Sequence, residues 1–219
     1  MLTYDEVINN EAIKIYIMRA DESLGALGYT KHGFDHVMHV AQMAGYILET
    51  LGYNDRTVEL AKIAGYLHDI GNLVNRTEHS QSGAVMAWSI LHDMGCDPAE
   101  LATIVTAIGN HDEGSGVPVN AVAAALILAD KADVRWTRVR NSDISTFDIH
   151  DRVNYSVKKS ALKINVDKTF VTLELTVDTK FGSVMDYFEI FMARMMLCRK
   201  AAEKLDLQFK LIINDQQLI

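Results

Sequence analysis

Apolar residues recur at spacings of three and four along nearly every segment before residue 140, and that period commits this part of the chain to helix. Only two prolines interrupt the 219 residues, so helices can run until a glycine or asparagine stops them. Thr3 and Glu6 have capping-box spacing and open a helix expected over 3–20. Further helices are expected over 34–51, 54–69, 80–94, 97–109 and 120–138, with Gly52, Gly71, Gly95 and Gly109 as stops. In "DPAE", Asp97 caps, Pro98 takes the first turn and Glu100 completes the box.

Beyond the polar stretch "NSDISTFD" and a short helix over 151–160, the period changes to two. Leu162, Ile164 and Val166 alternate with polar residues, as do Val171, Leu173, Leu175 and Val177 on the far side of a "DKT" turn. A long helix over 183–205 and the alternating "LQFKLIIN" follow. The expected fold is mainly α: a helical bundle over 1–140 and a small C-terminal α+β subdomain over 141–219 in the order β-β-α-β. An isolated hairpin is marginal in water, so it needs the helical part or a second subunit of a homodimer to pack on.

Hydrophobic residues make up 49% and charged residues 23%, and the formal net charge is −8. That balance argues against nucleic-acid strands and anionic membranes as partners, but it leaves room for a small phosphorylated substrate bound by a local basic patch. Two cysteines, Cys96 and Cys198, are too few for a disulfide framework and suggest a reducing cytoplasm. The N-terminal sequence has no signal-peptide pattern, and the most apolar run, 117–129, is shorter than the ~20 residues that a bilayer requires.

Several of the apolar stripes carry a polar group. His36 shares its stripe with Val40, Met43 and Ile47, whereas His39 faces outward with Asp35 and Gln42. His68 continues Leu60 and Ala64. Asp69 continues Ala61 and Gly65, small residues that permit close helix approach. His111 continues Ile104 and Ile108, and Asp130 continues Ala123, Leu126 and Ile127. One inward histidine is usually a hydrogen-bonded core residue, but this convergence needs another explanation. A carboxylate buried without a partner is costly. A divalent cation among aspartates and neutral imidazoles satisfies both groups. His32 reads as a loop or capping residue and His92 as a cation at a helix C-terminus. The His150–Asp151 pair, with no apolar helix before it, reads as chance.

These residues resemble the HD superfamily of metal-dependent phosphohydrolases. His36 in "HGFDHVMHVAQMA", His68 and Asp69 in "LHDIGN" and Asp130 in "LILADKADVR" match its His…His-Asp…Asp pattern. "EHSQSGAVMA" and "AIGNHDE" are similar to two further histidine segments of its two-metal members, among which the diadenosine tetraphosphate hydrolases look most alike. The resemblance covers residues 30–140. It implies that His36, His68, Asp69 and Asp130 hold one ion and that His79 and His111 hold a second, with Asp69 bridging. Fe or Mn is favoured over Zn, Co, Ni or Mg.

The expected activity is hydrolysis of a phosphoester or phosphoanhydride in a nucleotide or dinucleotide by a metal-activated water, with Asp69 and Lys131 as catalytic residues. Lys131, Arg135 and Arg138 share a helical stripe beside Asp130 and, with Arg76 and Arg140, are candidates for phosphate binding. Asp112 and Glu113 are candidate proton acceptors. A di-iron oxygenase of the same framework acting on a small hydroxylated substrate is the alternative, followed by a non-catalytic ligand-binding module.

Overall fold

Side-chain caps set most helix starts in the computed structural model, which describes residues 1–219. Thr3 and Glu6 form the expected capping box at α1 (Tyr4–Ile8). Asn10 then accepts from the amides of Ala12 and Ile13 and starts α2 (Glu11–Ala26), so the single helix expected over 3–20 is two. α3 (Phe34–Leu51) ends at Gly52, whose φ of 90° needs a residue without a Cβ. Asn54 caps α4 (Asp55–Leu67). α5 (His79–Asp93) follows, and Asp97 caps α6 (Pro98–Gly109). The Glu100 carboxylate binds Arg56 instead of returning to the cap, so only half of that expected box exists. Asn120 caps α7 (Ala121–Ala132).

The remainder follows the expected β-β-α-β order. Asp148 caps α8 (Ile149–Ser156), which runs directly into β1 (Val157–Ile164) where a helix was expected to continue to 160. β2 (Phe170–Val177) pairs antiparallel with β1. α9 (Val184–Lys204), opened by a Ser183–Asp186 capping box, crosses over to β3 (Gln208–Ile213), which lies parallel to β2. A two-residue β4 (Gln216–Gln217), absent from the expected order, completes the sheet β1-β2-β3-β4.

α3 packs on α4 and α7, α5 on α6, and α9 on both α7 and β3. Val171, Leu173, Phe209 and Leu211 of the sheet join the same cluster of 56 buried residues as Val40, Ile63 and Ile127 of the helices. One core therefore runs through both parts. No helix is long and apolar enough to cross a membrane.

Candidate metal centre and substrate cavity

α4 delivers two polar side chains into this core because its end is tightly packed. His68 keeps helical backbone angles, and a 3-10 turn over Ile70–Leu73 follows, with Asp69 as its cap. A Cβ on Gly71 would lie 2.0 Å from the carbonyl oxygen of His79 and 2.4 Å from the Gly83 amide. Only glycine lets α5 press this closely, and that contact carries His79 to Asp69. Asn72 donates from Nδ2 to both the carbonyl and Oδ1 of Asp69, each at 2.9 Å, and so fixes the carboxylate.

Four imidazoles and two carboxylates meet there in two adjoining groups. In the first, His36 Nε2 lies 3.2 Å from His68 Nε2, 3.4 Å from Asp69 Oδ2 and 3.4 Å from Asp130 Oδ1. In the second, His79 Nε2 lies 3.2 Å from His111 Nε2 and 3.5 Å from Asp69 Oδ1. Asp69 therefore turns one oxygen to each histidine pair. All six residues are buried, with Asp130 the most accessible at 9%.

The ring tautomers follow from the opposite nitrogens. His68 Nδ1 donates to the Gly65 carbonyl at 2.7 Å, His111 Nδ1 to Ile108 at 2.7 Å and His79 Nδ1 to Arg76 at 3.1 Å. His36 Nδ1 donates to Asp133 Oδ2 at 2.7 Å. In each neutral ring, Nε2 then carries a lone pair. Lone pairs face one another at 3.2 Å, and the buried Asp69 Oδ2 finds no donor. Converging lone pairs around a buried carboxylate oxygen that lacks a donor fit a cation. Two three-residue sets have mutually close donor atoms, His36–His68–Asp130 and His68–Asp69–His111, so His68 stands at the junction of both.

In the metal-free centre the carboxylates instead favour protonation of the first pair of rings, so a proton competes there with a cation. Burial lowers the His68 pKa, but Asp69 and Asp130 outweigh it and hold the ring at about 10. Burial likewise works against charge on His36, and Asp130, Asp133 and Asp69 reverse it to an upward shift. Burial depresses His111 and His79. Burial opposes charge on Asp69 and Asp130 too, yet cationic neighbours, His68 beside Asp69 and Lys131 beside Asp130, hold both carboxyls well below the usual range.

Residues 33–137 match the HD domain. An uncharacterised protein of Methanocaldococcus jannaschii is 25% identical over 205 residues, 83% of this chain and 78% of that protein. Ribonuclease Y 1 of Pediococcus pentosaceus is 33% identical over 129 residues, which are 56% of this chain but only 21% of the ribonuclease. A crystal structure of a predicted HD superfamily hydrolase from an uncultured Thermotogales bacterium is 24% identical, with TM-score 0.45, over 57% of this chain and 67% of the other.

Around this centre the cations are placed differently from expectation. Helix α7 stops at Ala132, so Lys131, Arg135 and Arg138 share no stripe. Asp133, which no sequence pattern singles out, stands at that end: it accepts from His36, from Arg135 Nε at 2.5 Å, and lies 3.7 Å from Arg138. Lys131 is buried, with Nζ 2.7 Å from Asp130 and 2.6 Å from Glu113, so it neutralises carboxylates and is not free for phosphate. Arg138 is buried too and donates to the Lys31 and Asp133 carbonyls. Arg140 lies away from the centre on Asp21 and the Tyr29 carbonyl. Glu113 also binds Arg194 of α9 at 3.0 Å, a contact that no local pattern announces. Arg76 keeps the expected place, 3.9 Å from Asp69.

A cavity of about 450 Å³ opens beside the centre, lined by His32, Arg76, Glu113, Arg138 and Arg194 and closed by α8. His32 is thus more than a loop residue: its ring stands 5.4 Å from that of His36. His150 and Asp151, read from sequence as chance, lie in the α8 wall. Asp112 Oδ1 stands 4.0 Å from His79 Nε2. His39 is half-exposed, 4.0 Å from Asp133, and His92 is exposed and stacked on Trp88.

Proposed function

We propose that this protein is a metal-dependent phosphohydrolase that cleaves a phosphoester or phosphoanhydride bond of a small nucleotide or dinucleotide. The observation that carries the reading is Asp69, whose two oxygens serve two histidine pairs and whose Oδ2 is buried without a donor. The donor set fits two divalent ions of the Fe or Mn type, held by His36, His68, Asp69 and Asp130 and by Asp69, His79 and His111. Bound there, such a pair neutralises phosphoryl charge and lowers the pKa of a coordinated water.

The protein's own residues supply the rest. Asp133 and three backbone carbonyls hold the rings with Nε2 directed inward. Lys131 orients the Asp130 carboxylate. Arg76 and Arg194 present guanidinium groups to the cavity, where phosphate oxygens would sit. Asp112, 4.0 Å from His79 Nε2 and without a lysine or arginine partner, would be the carboxylate to accept a proton from the water. The ribonuclease among the relatives supports phosphoryl chemistry by its name, although this chain spans about a fifth of it.

The test is elemental analysis of anaerobically purified protein, then phosphate release across a nucleotide panel alongside oxygen consumption. Two equivalents of Fe or Mn and phosphate release without oxygen uptake are expected. Oxygen uptake without phosphate release would overturn the proposal in favour of an oxygenase.

A further inference from the structure

Helix α8 lies outside the stretch that matches the HD domain, yet it walls the cavity beside the centre. Beside His150 it contributes three residues with side-chain acceptors. Asp148, Asp151 and Asn154 recur at a spacing of three, which places them on one helical face. Asn154 is only 7% exposed, and its Nδ2 donates to the His150 carbonyl while its Oδ1 accepts nothing from the protein. Asp148 uses Oδ1 to cap the helix at the Asp151 amide, and Asp151 reaches only Asn141, at 3.4 Å. The rest of the polar lining includes the donors Arg76, Arg138 and Arg194, with Glu113 already paired to Arg194. Arg76 lies over the Tyr29 ring at 5.7 Å and Arg194 over the Phe191 ring at 4.4 Å, and each uses only part of its fork on protein acceptors.

We infer that α8 selects the substrate: its acceptors read the hydroxyl groups of a ribose-like unit whose phosphate faces Arg76, Arg194 and the metal centre. This rests on the phosphohydrolase reading above. A ligand spanning the cavity must be anionic at one end and rich in hydrogen-bond donors at the other, as ribose phosphates and ribonucleotides are. The same wall disfavours a continuing phosphodiester strand, because Asp148 and Asp151 would face its next phosphate. The substrate therefore ends inside the cavity.

The experiment compares metal-loaded wild type with Asp148→Asn/Asp151→Asn, in which asparagine retains the helix cap. The probes are ribose 5-phosphate, a ribonucleoside 5′-monophosphate, its 2′-deoxy counterpart, p-nitrophenyl phosphate and a short RNA. Wild type should prefer the ribose-bearing probes to deoxyribose and leave RNA uncut. The double variant should lose roughly fivefold or more in kcat/KM on ribose-bearing probes, since a charge-assisted bond becomes a neutral one. It should keep p-nitrophenyl phosphate turnover within about twofold and bind metal at full stoichiometry. Preference for the nucleotide over ribose 5-phosphate would assign the base a share of recognition, whereas equal rates would limit the reading to the sugar. Unchanged ribose discrimination, or efficient RNA cleavage by wild type, overturns the inference. Absence of turnover on every phosphate probe instead overturns the phosphohydrolase reading beneath it.

Discussion

At the scale of single residues, the centre is defined by which nitrogen of each ring carries the proton. His68, His79 and His111 each donate Nδ1–H to the carbonyl three residues earlier, so the main chain sets their tautomer. His36 alone depends on a side chain. Asp133→Asn should therefore weaken metal binding about 10–100-fold with the fold retained, read by titration with a competing chelator. His79→Ala should lower the metal count from two to one by elemental analysis, and retention of both ions would remove His79 from the ligand set. Protonation gives a further expectation. The raised His68 pKa stabilises the metal-free fold fully below about 6.5, the unfolded value, and this contribution is lost as pH rises through about 10. Thermal melts of metal-free protein should decline across that window, and less steeply in His68→Gln. Apparent metal affinity should rise over the same window as the competing proton leaves.

At the scale of elements, the centre depends on how closely two helices approach. A Cβ on Gly65 would lie 2.7 Å from the Cα of Ala41 and 2.9 Å from its amide nitrogen, both backbone atoms of α3. Gly65→Ala should cost about 1–3 kcal/mol in urea unfolding, because neither helix can yield locally. The sequence anticipated this contact through the small residues on the Asp69 stripe. It also anticipated the helix starts at Asn54, Asp97 and Asn120, because a cap is a local event. It missed what depends on contacts between distant segments. Asp133 sits where helical period predicts continuation, but there the helix has ended and its carboxylate accepts from His36 and Arg135. The break at Asn10 falls inside a continuous apolar period, so the pattern alone predicts one helix where the structure has two. His150 and Asp151 lack any periodic signal, and Arg194 reads as an ordinary exposed residue of a long helix until the fold brings it to Glu113.

At the scale of the molecule, one hydrophobic core includes residues from Leu2 to Ile213, so helices and sheet should unfold together. Far-UV and near-UV circular dichroism should give coincident thermal transitions, whereas a separate early transition of the sheet would contradict a shared core. The consequence extends to the centre itself. Asp130 touches Lys131, Lys131 touches Glu113, and Glu113 touches Arg194, which belongs to the helix that carries the sheet. Those contacts form a tether of alternating charge between Asp130 and α9. Whatever docks on that sheet or loosens it would be felt as tension on the Asp130 carboxylate, transmitted through three salt links and without any rearrangement of the histidines.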